Sequence, residues 1–263
     1  MERHPVILSI AGSDCSGGAG IQADIKTISA LGGYAASAIT AVTVQNTLGV
    51  RAVHAIPPEI VCGQIEAVME DLQPVAVKIG MVNDIQIVHV IADCIRKYSP
   101  EHIIYDPVMV STSGRRKLMT DEAIEEIKKK LLPLVTLVTP NIDEAKVLTG
   151  KSIQNTQDML EAAKQLSDSY QTHILIKGGH LEGDQMCDLL YSPDHTYYIY
   201  EEKKIESKNL HGTGCTLSSA IASYLAKGYS MKDSICHAKE YITHAIIAGK
   251  NLNIGHGNGP LWH

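Results

Sequence analysis

Several features that mark other classes of protein are missing from this sequence of 263 residues. It has no phenylalanine and one tryptophan, so aliphatic side chains, methionine and 11 tyrosines must fill its core. No run of about 18 apolar residues occurs, as a membrane-spanning helix would require. The first residues also lack the apolar region and cleavage site of a secretory signal. We therefore expect a soluble, cytoplasmic protein with no membrane partner.

An excess of basic residues is missing as well. Lys and Arg total 23 against 29 Asp and Glu, for a net charge of −6, and no basic stripe could follow a nucleic-acid backbone. Nucleic acid is therefore not an expected partner. The cysteines form no Cys-x-x-Cys pair and have no zinc-type spacing, so we expect reduced thiols. Five of them are expected to be small packing residues, and only Cys215 stands in a context that suggests chemistry.

What the sequence does contain is a regular alternation of β-branched runs and amphipathic stretches. The predicted buried strands are Val6–Ile10, Ser37–Val44, Ala76–Ile79, His102–Tyr105, Val135–Thr139 and Ile174–Ile176. The predicted helices include Gln64–Leu72, Ile85–Lys97, Thr120–Leu132 and Thr156–Tyr170. This order predicts an α/β fold of three layers, with helices on both faces of a mainly parallel sheet. Residues Met186–Lys203 predict two antiparallel strands, and the lack of a linker or repeat favours one domain over residues 1–263.

Small and polar residues follow the predicted strands. They are Gly12-Ser13-Asp14, Gln45-Asn46, Gly80-Met81, Asp106-Pro107, Pro140-Asn141 and Lys177-Gly178-Gly179. Any one of these segments is ordinary for a turn. Because the carboxyl ends of parallel strands meet at one edge, where such sheets bind ligands, their joint occurrence predicts a binding site.

The segment His211-Gly212-Thr213-Gly214-Cys215 is the strongest local motif. The apolar repeat in Thr216–Ala226 predicts a helix that begins at or just after Cys215 and stops at Gly228. Gly212 and Gly214 would let backbone N–H groups converge on an anion at the positive end of that helix. The alternative is a tight turn that needs glycine only for its backbone angles. We favour a phosphate-binding turn.

Cys215 itself is a candidate proton acceptor. A thiol at a helix N-terminus is expected to have a lowered pKa, although a small buried cysteine is the simpler interpretation. Asp24 is a second candidate, because it shares the face of a predicted helix with Ile21, Ile25 and Ile28. A carboxylate there needs a partner. A salt bridge to a nearby lysine such as Lys26 is possible, but that side chain projects elsewhere, and we favour a ligand role.

Three charged positions suggest phosphate and metal chemistry. Asp106 and the Asn141/Glu144 pair offer oxygen ligands suited to Mg²⁺ beside a nucleotide, although Glu144 could simply stabilise the first turn of a helix. Lys177 could neutralise phosphate or be a solvated loop residue.

Two common nucleotide motifs match only in part. Gly18-Ala19-Gly20-Ile21-Gln22-Ala23 resembles a dinucleotide fingerprint, but Gln45-Asn46 stands where an acidic residue is needed and the preceding loop is too long. Gly150-Lys151-Ser152 resembles the end of a P-loop, but it follows a helix and is interpreted as a helix C-cap.

The motifs taken together resemble one family, the hydroxymethylpyrimidine/phosphomethylpyrimidine kinases of thiamine biosynthesis, within the ribokinase-like superfamily. The matching segments run from the first strand to the last residues. They are residues 11–14, 16–24, 78–81, 106–110, 139–141, 177–180, 211–216 and 255–260. The resemblance implies that ATP and Mg²⁺ serve two successive transfers, first to 4-amino-5-hydroxymethyl-2-methylpyrimidine and then to its monophosphate. It also implies a homodimer.

The resemblance assigns roles to individual positions. The pyrimidine pocket would be formed by Gly12, Asp24, Gln45 and Met81, with Val108 in a covering flap. Cys215 would be the catalytic base, and the amides of Gly212, Thr213, Gly214 and Cys215 the anion hole. Asn141, Lys177, Gly179, Gly212 and Gly214 would contact the nucleotide, and Asp106 and Glu144 would organise Mg²⁺.

Two other functions remain open. Pyridoxal kinase is the main alternative, since relatives of this family phosphorylate the hydroxymethyl group of pyridoxal. Such relatives tend to lack the glutamine and to carry a flap cysteine, whereas this chain has Gln45 and no cysteine in Val108–Gly114. Ser111-Thr112-Ser113 replaces the usual Ala-Lys-Ser of the flap, so Arg115 or Arg116 would have to supply a phosphate contact. A non-catalytic pyrimidine sensor is disfavoured because Cys215 and the glycines are present.

Overall fold

A computed structural model describes residues 4–82, 84–109, 119–179 and 185–263. The strands are β1 (Val6–Asp14), β2 (Tyr34–Asn46), β3 (Gly49–Ala55), β4 (Ala76–Ile79), β5 (His102–Tyr105), β6 (Leu137–Val138), β7 (His173–Lys177), β8 (Gln185–Tyr191) and β9 (Tyr197–Lys203). The helices are α1 (Gly20–Ala30), α2 (Pro58–Asp71), α3 (Ile85–Tyr98), α4 (Asp121–Glu126), α5 (Ile142–Thr149), α6 (Thr156–Tyr170), α7 (Thr213–Ala226) and α8 (Met231–Gly249). None of the helices in these ranges is long and apolar enough to cross a membrane.

The strands form one sheet in the order β3-β2-β1-β4-β5-β6-β7-β8-β9. The strands from β2 to β7 in this order pair in parallel, and an antiparallel partner closes each side: β3 on β2, and β8 with β9 on β7. Because the parallel strands run in one direction, the loops after β1, β4, β5, β6 and β7 open at one edge. The predicted parallel sheet and the predicted antiparallel pair are both confirmed.

Helices cover both faces of the sheet, as predicted. Alternate strand residues point to opposite faces: Leu8 packs in a core with α2 to α6, whereas Ile7 packs in a second core with α1, α7 and α8. Both residues are fully buried. The fold is therefore a three-layer α/β/α arrangement, and the site described below lies beside α1 and α7 on the second face.

Element boundaries differ from the prediction in a few places. The predicted helix Thr120–Leu132 begins as α4 with Thr120 as its N-cap, but it continues as a π turn over Ile127–Leu131 and a 3-10 turn over Leu132–Leu134. Pro133 lacks a backbone N–H and crowds the preceding turn, which disfavours a regular α-helix through this last turn. Strand β3 was not predicted. Gly150, the predicted C-cap, ends α5 with φ = 72°.

Candidate functional site

A pocket opens at the carboxyl edge of the parallel strands. It is lined by Ala11, Gly12, Ser13, Asp14, Ala19, Gly20, Thr43, Gln45, Val50, Val53, Lys78, Met81, Asp106, Pro107, Val108, Asn141, Glu144, Lys177, Leu210, His211, Gly212, Thr213, Gly214 and Cys215. Residues from β1, β2, β4 and β7, the loop after β5 and the turn before α7 therefore meet in one cavity. This is where the sequence placed a binding site.

The turn before α7 forms one wall of the pocket. Helix α7 begins at Thr213, two residues earlier than predicted, with Gly212 as its N-cap at φ = 91°. A Cβ at Gly212 would lie 1.9 Å from the carbonyl oxygen of Gly18, so only glycine fits there. The first N–H groups of a helix have no intrahelical acceptor and lie at its positive end. In α7 the N–H of Thr213 donates to the carbonyl of Leu210 at 3.3 Å, which leaves those of Gly214 and Cys215 for a ligand. This geometry suits an anion.

The environment of Cys215 contradicts one prediction. Burial raises the pKa of the thiol to about 11; the positive charge of Lys78 opposes this, and Asp24 and Asp106 add to it. The sequence predicted a lowered pKa from the helix terminus alone. The prediction was wrong in sign because it took no account of burial, which disfavours a thiolate. The half-buried thiol nevertheless lines the pocket.

An ion pair lies beside the same turn. The Nζ of Lys177, at the end of β7, is 2.8 Å from Oδ1 of Asp106, which follows β5. Burial raises the pKa of Asp106, but Lys177 and Lys78 outweigh it and hold that pKa below its usual range. A Cβ on Gly214 would lie 3.3 Å from Oδ2 of Asp106 and 3.5 Å from Nζ of Lys177. Glycine at 214 therefore lets the turn before α7 approach both charges.

Asn141 and Glu144 form a capping box at the start of α5. The side chain of Asn141 accepts from the N–H of Glu144 at 2.9 Å, and Glu144 accepts from the N–H of Asn141 at 2.8 Å. Burial raises the pKa of Glu144 to about 7, with the negative charge of Asp106 adding to the rise and Lys177 opposing it. The helix-stabilising role that the sequence left open for Glu144 is thus present. Both side chains also line the pocket.

Four of the five residues predicted to bind the substrate line the opposite wall. They are Gly12, Gln45, Met81 and Val108. A Cβ on Gly12 would meet Cε of Met81 at 2.5 Å, so the glycine makes room for the methionine side chain. Gln45 extends from β2 and its Nε2 lies 2.9 Å from Nε2 of His211. These residues form a mostly apolar wall with one amide.

Asp24 requires a correction, because it does not reach the pocket. Its side chain is fully buried and accepts from Lys78 Nζ at 2.9 Å through both oxygens, from Ser9 at 2.5 Å and from Ser219 at 2.8 Å. The expected ligand role is replaced by an ion pair. The lysine nearest in the chain, Lys26, donates to the carbonyl of Gly17 and is not the partner of Asp24.

Three titratable residues that line the pocket were not predicted: Lys78, Asp14 and His211. Lys78 could have been recognised from the sequence, since a lysine inside the apolar strand Ala76–Ile79 needs a buried partner. Asp14 and His211 each lie within a motif described above, but no feature of the neighbouring sequence indicates that they contact each other. Nε2 of His211 is 2.9 Å from Oδ2 of Asp14.

Some predicted positions fall elsewhere. Gly179 is half-buried but is not among the residues that line the pocket. The flap beyond Met109, including Arg115 and Arg116, lies outside the described residues.

Comparison with known proteins places this geometry in a family. The family model for phosphomethylpyrimidine kinase matches residues 14–262. A hydroxymethylpyrimidine/phosphomethylpyrimidine kinase of Rhizobium meliloti is 47% identical over 98% of this chain and 96% of its own length.

Solved structures show the same fold. A phosphomethylpyrimidine kinase from Clostridium difficile superposes with a TM-score of 0.82 at 46% identity, covering 92% of this chain and 99% of that one. A pyridoxal kinase from Staphylococcus aureus, in complex with AMP-PCP and pyridoxal, reaches a TM-score of 0.90 at 32% identity, covering 100% and 94%. Backbone shape alone therefore does not separate the two activities, but the sequence does. The chain belongs to the phosphomethylpyrimidine kinase family.

Proposed function

We propose that this kinase transfers the γ-phosphoryl group of ATP to the hydroxymethyl group of 4-amino-5-hydroxymethyl-2-methylpyrimidine, and then phosphorylates the monophosphate. One observation carries the proposal: a single pocket has an anion-binding helix terminus, a thiol and an Asp–Lys pair on one wall, and a mostly apolar wall with one amide on the other. The first wall suits phosphates and the second suits a small aromatic ring. The reaction is proposed for the cytoplasm, where ATP is available.

The chain supplies positioning and charge stabilisation, which is most of what phosphoryl transfer requires. The N–H groups of Gly214 and Cys215 would hold the phosphoryl oxygens, with Lys177 offsetting their negative charge. As the hydroxyl oxygen bonds to phosphorus and the bond to the leaving ADP oxygen breaks, the hydroxyl proton passes to Cys215 in its thiolate form, which a pKa of about 11 makes the minor form at neutral pH. Lys78 and Lys177 both bring positive charge near that sulfur, in opposition to its burial.

The carboxylates of Asp106 and Glu144 fit a nucleotide-bound Mg²⁺ that keeps water ligands. No group of three or more His, Cys, Asp or Glu in the described ranges is arranged to hold a metal by itself. Mg²⁺ in kinase sites is commonly held by one or two carboxylates plus phosphate oxygens, so two carboxylates are enough. When bound, the metal would neutralise charge on the phosphates, and Asp106 and Glu144 are the residues that would hold it.

A homodimer is part of the proposal. The edge hairpin of β2 and β3 leaves Val42 and Val44 exposed at 42% and 54%, opposite His54 and Ala52. β3 is the edge strand, and exposed apolar side chains on the face of its hairpin with β2 favour contact with another chain. A second copy of this chain is the partner that the symmetry of most soluble oligomers favours.

The proposed activity is tested by offering purified protein ATP and Mg²⁺ with the hydroxymethylpyrimidine, its monophosphate or pyridoxal, with products identified by phosphorus NMR. We expect pyrimidine monophosphate and then diphosphate. Pyridoxal phosphate as the dominant product would favour the alternative function, pyridoxal kinase. The TM-score of 0.90 with a pyridoxal kinase is the reason to include pyridoxal in the assay. Tight pyrimidine binding without turnover would indicate a sensor.

A further inference from the structure

A hydrogen-bonded group of three side chains joins distant parts of the chain at the substrate wall. Nε2 of His211, in the turn before α7, lies 2.9 Å from Oδ2 of Asp14 at the end of β1. The same Nε2 lies 2.9 Å from Nε2 of Gln45 at the end of β2. All three residues line the pocket, and the proposed mechanism uses only Gln45.

Asp14 is fixed as an ionised acceptor. Its Oδ1 accepts from the N–H and the hydroxyl of Ser16 at 2.9 and 2.7 Å, and its Oδ2 accepts from the N–H groups of Gly18 and Ala19 at 3.1 and 2.9 Å. A carboxylate surrounded by backbone donors stays ionised and has no hydrogen to give. The atom of His211 that faces it must therefore be a donor, so Nε2 of the imidazole carries a hydrogen.

This hydrogen decides the orientation of Gln45. An N–H of His211 cannot accept from the NH₂ of Gln45, and two donors at 2.9 Å would repel each other. The oxygen and nitrogen of a glutamine amide exchange places by a half-turn with almost no change in shape. With Oε1 of Gln45 turned toward His211, the single Nε2 hydrogen is shared between that oxygen and Oδ2 of Asp14, and the NH₂ of Gln45 faces the pocket.

We propose that Asp14 and His211 are positioning residues that fix the Gln45 amide so that it donates to the substrate and does not accept from it. The inference rests on the proposed function and narrows it: Gln45 recognises a ring nitrogen acceptor of the pyrimidine, not its amino group. Discrimination among aromatic alcohols then depends on an acceptor at that ring position.

Close packing holds the three residues in place. A Cβ on Gly18 would lie 2.4 Å from Cδ2 of His211, so the ring lies directly against the backbone of the Asp14 loop. The side chains of His211 and Asp14 are only 11% and 4% exposed. Water therefore has little access to the contact between His211 and Asp14 and cannot easily replace it.

The first test measures the hydrogen position and needs no substrate. Long-range proton–nitrogen NMR of the full-length protein, with the His211 signals assigned by their loss in His211→Gln, should show a hydrogen on Nε2. A neutral ring with its hydrogen on Nδ1 alone would overturn the proposal. Since this measurement does not depend on turnover, its failure is distinct from failure of the proposed kinase activity.

The second test measures discrimination. Wild-type kcat/KM for the hydroxymethylpyrimidine is compared with that for two analogues in which one or the other ring nitrogen is replaced by C–H. A single hydrogen bond predicts a preference of about 2- to 13-fold over one of the analogues. His211→Leu removes the donor to Asp14 and should bring the ratio close to one. His211→Gln retains an NH₂ for both neighbours and should preserve it.

A matched control separates orientation from loop stability. Ser16→Ala removes the 2.7 Å hydroxyl contact to Oδ1 of Asp14 but leaves the His211 contact to Oδ2, so the ratio should persist. A wild-type ratio in His211→Leu would overturn the proposal, as would an equal loss in Ser16→Ala. If His211→Leu does not fold, the NMR measurement and His211→Gln still decide.

Discussion

The buried ion pair beneath the pocket allows a direct choice between two roles for Asp24. Its carboxylate holds Lys78 through both oxygens at 2.9 Å, and both side chains are 0% exposed. Asp24→Asn removes the negative charge and leaves the ammonium of Lys78 buried without its counter-ion. Breaking such a pair from one side costs about 3–5 kcal/mol.

The cost is large enough to measure without ambiguity. For a chain of this size about 1 kcal/mol corresponds to 2–4 °C in Tm, so Asp24→Asn should lower Tm by roughly 6–20 °C. Urea unfolding of the ligand-free protein should show a lower midpoint with an unchanged slope. Removing both charges, in Asp24→Leu with Lys78→Met, should cost less than the single change, because no charge is then left unpaired.

An exposed pair provides the control. Arg96 and Asp93 lie 2.9 Å apart with side chains 45% and 76% exposed, so Asp93→Asn should change stability little. The reasoning fails if Asp24→Asn unfolds at the wild-type midpoint yet loses pyrimidine affinity. That result would restore the ligand role that the sequence predicted.

Four further predictions follow from the site and the edge hairpin. Cys215→Ala should lower turnover by about 10²–10⁴-fold, with a smaller change in pyrimidine affinity by calorimetry; unchanged turnover would make the thiol a packing residue. Lys177→Met should raise KM for ATP more than KM for the pyrimidine in steady-state assays, because its charge faces the phosphate wall; equal changes would contradict this. The pKa of Glu144 is near 4.5 in the unfolded chain and about 7 in the folded protein, so the folded state keeps the proton to a higher pH. The free energy of unfolding should therefore fall as the pH rises from 4.5 to 7. In Glu144→Gln, urea midpoints measured over this range should lack this part of the decline. Val44→Lys on the exposed face should shift the mass measured by light scattering from dimer to monomer.

Much of the fold was accessible from the sequence, because its signals are local. Strands β4 and β5 and helix α6 have the predicted limits, since apolar runs and amphipathic repeats depend on neighbouring residues alone. Strand β3 was missed because most of its residues are exposed and carry no apolar pattern. The 3-10 and π turns after α4 were also not predicted, since helix type depends on packing as well as on periodicity.

The candidate site was likewise predictable only in part. Gly212 and Gly214 predicted a glycine turn before a helix, and helix α7 begins within two residues of the predicted position. The pKa of Cys215 could not be read from the helix terminus, because burial by other segments sets its direction.

The sequence by itself determined the parallel sheet and the family, and it predicted the edge of the sheet where the pocket lies. Tertiary structure alone decided which charged groups meet. Lys78 is 54 residues from Asp24, and His211 is 197 residues from Asp14. Electrostatic partners are chosen by distance in space and by the loss of water around them, and neither quantity is recorded in the order of residues.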